Sequence, residues 1–297
     1  MFNNCLRLFF SKKSIPILLY HQLDYRKSRL SVTPEEFEAH LKIIKGLGFF
    51  TIFIEEMEGV FEKTQQRDNR AIAIAFDDGH VSNWFYAYPI LKKYSMKATL
   101  FIVTSWVLNK NRRYNNGQAL QNKADYRALR LAMEYEEENG RAFVSWEELS
   151  EMQESGLIDI QPHGHRHFFF DGKQLYQEEK LVSSSRQLAL TLLYDDIATA
   201  KSLIEEKLHK RCVCFAWPGG GYSKEAIAIV KKLGFIYSVS IELGANTAFT
   251  DRYALRRITV KNYFASPLKF IFFFWLFSNN TLKFFKNMIF RKRRKEE

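Results

Sequence analysis

The sequence predicts an α/β fold built from parallel βα units. Short apolar runs rich in β-branched and aromatic residues recur along the chain, and several lack polar–apolar alternation, as strands covered on both faces do. Helical stretches separate these runs, and strands separated by helices indicate a parallel sheet. The predicted strands are residues 15–20, 71–76, 98–103, 157–160, 212–217, 235–240 and 255–260.

Two of the predicted helices have clear N-terminal signals. Thr33 and Glu36 form a capping box with Pro34 in the first turn, and apolar residues then follow at helical spacing. Ser145 and Glu148 form a second capping box shortly before one of the predicted strands. Both helices therefore fit between strands, as βα units require.

Two segments interrupt this alternation. Residues 109–141 are polar and charged, which is typical of an insertion or lid, and contain a predicted helix at about 124–138. Residues 267–297 form a tail rich in Phe that ends in the basic run 291–295. We therefore expect one domain at 1–266, with the insertion at about 109–141, and a hydrophobic and basic tail at 267–297.

Composition limits the class of protein but does not choose a partner. The 297 residues are 46% hydrophobic, which is sufficient for a large core. Lys and Arg outnumber Asp and Glu by 44 to 33, and this charge of +11 favours an anionic partner such as a membrane surface, a phosphorylated glycan or nucleic acid. Cys5, Cys212 and Cys214 form no disulfide framework, and the N-terminus lacks an uninterrupted apolar core. These features favour a reducing compartment and the absence of a cleaved signal peptide.

Candidate metal ligands follow two of the predicted strands. Asp77 and Asp78 close one strand, although an Asp-Asp-Gly sequence alone is a common turn. His163 and His167 follow another strand, and their spacing of four brings two imidazoles together on one helical turn. Two histidines and one carboxylate leave an open position for water, which is the layout of a catalytic zinc site. The alternative is a solvated loop with a histidine cluster, which the aspartates disfavour.

A glycine-rich turn follows a third strand and precedes a predicted helix. Such a turn lets backbone N–H groups approach a ligand closely and stabilise an oxyanion. The turn lacks the Walker lysine-serine ending and the Rossmann spacing, so it does not indicate nucleotide binding. We predict that Gly219 and its neighbours Trp217, Pro218 and Tyr222 form the oxyanion and substrate-contacting group.

These three motifs, each after a strand and in this order, resemble those of the polysaccharide deacetylase family, NodB-like carbohydrate esterases that remove N-acetyl groups from glycans. The likeness spans about residues 15–260. It implies that Asp77 is the general base and that Asp78, His163 and His167 bind the metal. Gly164 stands where the family has Ser or Thr, so we expect a hydrogen bond that supports this loop to be missing.

The family also has a catalytic histidine on a late strand, whereas this chain has no histidine after His209. The N-terminal strand ending in His21 resembles that late strand moved to the front, as in the circularly permuted subgroup containing matrix-polysaccharide and lipid-linked aminosugar deacetylases. The resemblance therefore implies that His21 is the general acid. A buried strand-end histidine with a structural role is the alternative.

A further departure concerns the arginine that pairs with the catalytic aspartate in ordinary members. The third motif of this chain has no arginine, and Arg257 or, as a second choice, Arg256 could supply the charge that keeps Asp77 ionised. A surface pair of basic residues is the alternative.

The resemblance implies a distorted parallel (β/α) barrel of about seven strands, with a helical insertion and a C-terminal amphipathic tail. It implies one divalent metal ion, with zinc as first choice and cobalt, nickel or iron also suited to two histidines and a carboxylate. The expected reaction removes the N-acetyl group from an aminosugar of the GlcNAc or GalNAc type and releases acetate. The competing hypotheses are another metallohydrolase, a catalytically silent glycan-binding module, and a membrane-associated scaffold.

The tail predicts where the protein works. Its apolar run is shorter than the roughly 20 residues that span a membrane, but a Phe- and Trp-rich sequence followed by a basic cluster is typical of an interfacial anchor. The alternative is an amphipathic helix packed on the domain. We predict a peripheral location at the inner face of the cytoplasmic membrane and an N-acetylated glycan of the lipid-linked or lipopolysaccharide type as substrate. We expect no nucleic-acid partner.

Overall fold

The computed structural model describes residues 14–26, 28–63, 70–109 and 123–278. The strands are β1 (Ile17–Tyr20), β2 (Gln22–Leu23), β3 (Ser31–Val32), β4 (Phe50–Ile52), β5 (Ala71–Phe76), β6 (Ala98–Ile102), β7 (Ile158–Pro162), β8 (Phe169–Phe170), β9 (Leu175–Gln177), β10 (Lys180–Ser183), β11 (Cys214–Ala216), β12 (Tyr237–Leu243) and β13 (Leu255–Thr259). The α-helices are α1 (Pro34–Gly46), α2 (Met57–Lys63), α3 (Tyr88–Tyr94), α4 (Lys123–Glu138), α5 (Trp146–Glu154), α6 (Arg186–Leu208), α7 (Lys224–Lys232) and α8 (Pro267–Ser278).

The main sheet is parallel and curls into a nearly closed barrel. Its ladder runs β11-β12-β13-β1-β5-β6-β7, and β4 pairs with β5 off this path. All seven predicted strands lie in this ladder, so the predicted fold class is confirmed. The sequence pattern missed β4, whose three residues are too few to show a period. The N-terminal strand β1 lies between β13 and β5, which brings the beginning and the end of the barrel sequence together.

Side chains join the two end strands of the ladder, β7 and β11. The buried amide of Gln161 accepts hydrogen bonds from the backbone N–H groups of Val213 and Cys214, each at 3.0 Å. The same amide donates to Asp159 Oδ2 at 2.9 Å, and the Lys210 ammonium pairs with the other Asp159 oxygen. One glutamine thus satisfies backbone donors that a neighbouring strand would otherwise satisfy.

Apolar side chains form two layers, one inside the barrel and one between the barrel and its helices. Alternate residues of a strand belong to different layers: Leu19 and Ala75 pack in the inner cluster, whereas Leu18 and Ile74 pack in the outer one. Every residue of β5 is buried for this reason, which explains why its sequence shows no polar–apolar alternation.

The predicted caps and the predicted insertion helix are present. Thr33 with Glu36 and Ser145 with Glu148 form complete capping boxes at the starts of α1 and α5. The helix expected at about 124–138 is α4, and the remainder of the insertion before it lies outside the described residues, apart from residue 109. Glu137, near the end of α4, contacts His80 Nε2 at 2.9 Å and therefore ties the insertion to the loop after β5.

The described part of the tail is a helix packed on the barrel. Phe270 of α8 stacks on His40 of α1 with ring centroids 3.9 Å apart, and Phe274 is fully buried. Leu268 and Phe272 face outward and are 82% and 56% exposed. The basic run 291–295 lies outside the described residues. None of the described helices combines the length and the apolar character that crossing a membrane requires.

Candidate metal centre and active site

The candidate site lies at the carboxyl edge of the parallel sheet, and strand parity aims its side chains inward. His21 continues the face of Ile17 and Leu19, and Asp77 continues the face of Ala73 and Ala75, all of which pack inside the barrel. By the same alternation along the strand, the side chains of His163, directly after β7, and of Arg257, in β13, face the inside of the barrel. The Asp77 N–H donates to Tyr20 O at 3.1 Å, which keeps the ends of β1 and β5 level. Four strands thus contribute one inward-facing residue each.

Asp78, His163 and His167 converge on one point. Asp78 Oδ1 lies 3.6 Å from His163 Nε2 and 3.8 Å from His167 Nε2, and one donor atom from each residue lies within 4.8 Å of the other two. Two atoms bound to one tetrahedral zinc at about 2.0–2.1 Å are about 3.4 Å apart, so the spacing suits a single ion. The three predicted ligands therefore form a possible metal site.

The hydrogen bonding of His163 also fits a metal ligand. Its Nδ1 lies 2.9 Å from the carbonyl oxygen of Ala216, and because a carbonyl only accepts, Nδ1 carries the proton and donates it. The lone pair is then on Nε2, the atom that faces Asp78. This is the arrangement in which a backbone acceptor fixes the tautomer of a ligating histidine.

The cluster is more exposed at Asp78 and His167 than at His163. The His163 side chain is 3% exposed, whereas the side chains of Asp78 and His167 are 26% and 27% exposed. Asp78 and His167 also have left-handed backbone conformations, with φ of 77° and 56°. Such conformations are strained for residues other than glycine and persist where the surrounding structure imposes them, often at functional sites.

Asp77 and Arg257 form a buried ion pair. Arg257 Nη1 donates to Asp77 Oδ1 at 2.7 Å, and its Nε donates to the carbonyl oxygen of Ser240, also at 2.7 Å. Burial alone would raise the pKa of Asp77, but the charges of Arg257, His163 and His21 outweigh it and hold that pKa at about 2. Arg256 points to the opposite face and lies 3.9 Å from Glu242, so Arg257 is the arginine that contacts Asp77.

The pKa values of the adjacent carboxyl groups of Asp77 and Asp78 are shifted in opposite directions. Burial and the charge of Asp77 raise the pKa of Asp78 to about 7. Burial lowers the pKa of His163 to about 3, and it also lowers the pKa of His167. Both imidazoles are therefore neutral near pH 7 and can offer lone pairs to a cation. Asp78 is therefore the candidate ligand that must lose a proton before it can bind a cation.

His21 directly follows β1 and lies near the Asp77–Arg257 ion pair. Burial lowers its pKa, and the charge of Asp77 partly opposes that effect. Its Nδ1 has no hydrogen-bond partner within the described part of the chain. This nitrogen is buried, and no described hydrogen bond to it fixes which ring nitrogen of His21 carries the proton.

The glycine turn is shaped by packing within the protein. A side chain at Gly219 or Gly221 would meet the ring of Phe169 at 2.8 or 2.4 Å, and one at Gly220 would meet Ile241 at 2.2 Å. Trp217 is 1% exposed, and its indole N–H donates to Ser238 Oγ. The glycines are therefore required for close packing, whatever their N–H groups bind.

The other two residues predicted at this turn differ in exposure. Pro218 is buried at the start of the turn. Tyr222 is partly exposed, stacks on Trp217, and donates its hydroxyl proton to Glu242 at 2.7 Å. The Tyr222 ring is therefore accessible, whereas the side chains of Trp217 and Pro218 are buried and pack within the protein.

Two residues near the metal cluster were not predicted. The Trp106 ring lies 5.2 Å from the His167 ring and 4.7 Å from the Phe143 ring, and it is partly exposed. Its position after β6, at the same sheet edge, was a usable sequence signal. Asp196, in the middle of α6, accepts hydrogen bonds from the backbone of the loop between the two histidine ligands. Nothing in the local sequence distinguishes it from Asp195.

Comparison with known proteins agrees with this geometry. The family model for polysaccharide deacetylase matches residues 64–238, more than half of the chain. The Bacillus subtilis protein YxkH is 27% identical over 246 residues, which are 83% of this chain and 71% of that protein. The poly-β-1,6-N-acetyl-D-glucosamine N-deacetylase of Staphylococcus epidermidis is 28% identical over 238 residues, 78% of this chain and 68% of the relative.

The solved structures share the fold. The Streptococcus pyogenes deacetylase PplD, determined in complex with acetate, superimposes with a TM-score of 0.66 at 21% identity and covers 88% of this chain and 98% of its own.

Proposed function

The chain belongs to the polysaccharide deacetylase family, and from this premise we propose that it hydrolyses the N-acetyl group of aminosugar residues in a glycan and releases acetate. The observation that carries the proposal is the convergence of an ionised carboxylate and a three-ligand cluster at one sheet edge. Asp77 Oδ1 is held by Arg257, and its Oδ2 lies 3.9 Å from His163 Nε2. Asp77 is thus adjacent to the cluster and ionised at neutral pH.

In the proposed reaction, Asp77 accepts the proton of the water that attacks the acetamide carbonyl. His21 donates a proton to the leaving amine nitrogen, and its lowered pKa makes the protonated ring a stronger acid. Backbone N–H groups near Gly219 hold the developing oxyanion, and Tyr222 contacts the sugar. Water and the amide are thereby converted into acetate and a free aminosugar.

Asp78, His163 and His167 would hold one divalent cation, with zinc as first choice and cobalt, nickel or iron also suited to this donor set. When bound, the cation supplies a Lewis acid that polarises the carbonyl and lowers the pKa of water. The more exposed side of the cluster, at Asp78 and His167, is where the acetamide would enter.

We propose a glycan rich in N-acetylglucosamine as the first substrate to test. The support is the Staphylococcus epidermidis relative, whose name specifies poly-β-1,6-N-acetyl-D-glucosamine. The place of β1 between β13 and β5 also supports membership of the permuted subgroup. The lipid-linked or lipopolysaccharide-type substrate predicted from the tail is the second choice, supported by the tail sequence and the charge of +11.

A peripheral location at the inner face of the cytoplasmic membrane remains part of the proposal. The outward-facing Leu268 and Phe272 of α8 support it, because exposed apolar side chains on a helix that precedes a basic run in the sequence suit a lipid surface. Cofractionation with membranes tests it, with Leu268→Ser and Phe272→Ser as the variants. Unchanged fractionation of the double variant would remove this support.

The reaction is tested by measuring acetate release from β-1,6-linked N-acetylglucosamine oligomers, lipid-linked N-acetylated sugars and lipopolysaccharide, with and without a chelator. We expect release that the chelator stops and that Asp77→Asn reduces by roughly 10³-fold or more, consistent with the loss of a general base together with its charge. Asp195→Asn, on the exposed face of α6, is the matched control. Sugar binding without acetate release under any metal would identify a silent glycan-binding module instead.

A further inference from the structure

In the loop between His163 and His167, Gly164 stands where a hydroxyl residue was expected, and the carboxylate of Asp196 from α6 lies against it. Gly164 has φ of 87°, and a Cβ on it would lie 2.7 Å from Asp196 Oδ2. A serine or threonine cannot therefore occupy position 164 while Asp196 keeps its place. The carboxylate of α6 fills the space that a hydroxyl side chain on the loop would take.

Asp196 also satisfies the backbone donors of this loop. Its Oδ2 accepts from the His165 N–H at 2.9 Å, and its Oδ1 accepts from the Arg166 N–H at 2.7 Å. Asp196 is 5% exposed, so water does not replace these bonds readily. Two successive N–H groups held by one carboxylate fix the chain direction immediately before His167.

The opposite side of the same loop is fixed by the segment after β6. The N–H of Thr104 donates to Gly164 O at 3.2 Å, and the N–H of Ser105 donates to His165 O at 3.0 Å. The loop is thus held through its carbonyl groups on one side and through its N–H groups on the other. Only the second set depends on a single side chain.

We propose that Asp196 is the positioning residue of the metal centre, and that Gly164 and Asp196 together replace the hydroxyl residue expected after the first histidine ligand. The missing hydrogen bond predicted from Gly164 is supplied from α6. By holding the two N–H groups before His167, Asp196 keeps that residue in its left-handed conformation, with φ of 56°, and its Nε2 toward Asp78. The proposal rests on the proposed function only in assuming that this cluster binds a cation.

The first test compares Asp196→Asn, Asp196→Ala and the control Asp195→Asn. Asparagine keeps the size of the side chain but presents an N–H₂ group to one of the two backbone donors. We expect both Asp196 variants to bind zinc about 10–100-fold more weakly, the range found when groups that orient ligands are lost. The control should bind zinc as the unchanged protein does. Calorimetry or competition with a chromophoric chelator measures these affinities without any substrate.

A second readout separates positioning from general stability. Cobalt(II) in the site absorbs visible light in a pattern that depends on ligand geometry, so we expect the Asp196 variants to show an altered spectrum at saturating cobalt. Thermal unfolding of the metal-free proteins gives the purely structural effect of each substitution. An Asp196→Asn protein with unchanged zinc affinity and an unchanged cobalt spectrum would overturn the proposal.

A double-mutant cycle tests whether the effects of Gly164 and Asp196 on zinc affinity depend on each other. Gly164→Ala should weaken zinc binding more in the unchanged protein than in the Asp196→Ala background, because only the former has the carboxylate 2.7 Å from the added methyl group. Additive effects of the two substitutions on zinc affinity would refute the proposal that Gly164 and Asp196 together replace the hydroxyl residue. Because zinc affinity is measured in every arm, absence of deacetylation would overturn the proposed function while leaving this result intact.

Discussion

The guanidinium Nη1 of Arg257 lies 2.7 Å from Asp77 Oδ1, and the two residues are 0% and 2% exposed. They are 180 positions apart in the sequence and come from β13 and the end of β5. Because the attraction between the charges is little screened by solvent, the pair keeps Asp77 ionised despite its burial. This contact keeps Asp77, the proposed general base, ionised.

Replacing Arg257 should move the acid limb of the activity profile. Without the guanidinium, burial raises the pKa of Asp77 from about 2, and the base is lost by protonation at a higher pH. At zinc concentrations that keep the metal site saturated across the pH range, we expect Arg257→Met to shift the acid limb of kcat/KM upward by about 1–3 pH units, and Arg257→Lys, which keeps the charge, should shift it less. Arg256→Met is the control, since Arg256 faces away from Asp77. Equal shifts in the Arg256 and Arg257 variants would contradict this prediction.

Metal affinity should depend on pH through Asp78. Its pKa is raised to about 7, so lowering the pH through this value protonates the carboxylate that the cation needs. We expect zinc affinity to fall by up to about tenfold per pH unit below pH 7, with the release of about one proton on binding at pH 6. Calorimetry in two buffers of different ionisation enthalpy measures the proton release. His163, with a pKa of about 3, should not contribute in this range, and an affinity that stays constant from pH 7 to pH 5.5 would contradict a pKa of about 7 for Asp78.

Breaking the bridge between β7 and β11 should destabilise the barrel. Gln161→Met keeps the length of the side chain but removes the acceptor of the Val213 and Cys214 N–H groups. Each buried donor left without an acceptor costs about 1–3 kcal/mol, so we expect the free energy of unfolding to fall by about 2–6 kcal/mol. Denaturant unfolding measures the change, and hydrogen exchange should show faster exchange at those two amides. Gln187→Met, at an exposed position of α6, should have little effect.

The partly exposed ring of Trp106 should contribute to substrate binding. It stands 5.2 Å from the ring of His167, and an aromatic face there can stack on the apolar face of a sugar. We expect Trp106→Ala to raise KM for N-acetylglucosamine oligomers by about 2–10-fold with a smaller change in kcat, and Trp106→Phe to retain most of the binding. Steady-state kinetics decide between these outcomes. A loss confined to kcat would instead indicate that the ring orients His167.

Several parts of the site could be predicted because their signals are local. A strand that ends in Asp77-Asp78, and another followed by His163 and His167, can be recognised from a few adjacent residues. The carboxyl ends of parallel strands meet at one edge, so the cluster followed from the strand pattern. The conclusion drawn from Gly164 was incomplete, since its replacement for the missing hydroxyl lies 32 positions later in α6 and forms its contacts only after folding.

The sequence by itself determined the strand and helix pattern, the donor residues and the expected chemistry, because periodicity, capping and ligand type depend on neighbouring residues. Only the tertiary structure decided between Arg256 and Arg257, since adjacent residues of a strand face opposite sides and the pairing of β13 with β1 sets which side faces inward. It likewise decided that Gln161 joins the end strands and that Asp196 supports the histidine loop. Those contacts join distant segments, and their energies depend on burial that no local pattern specifies.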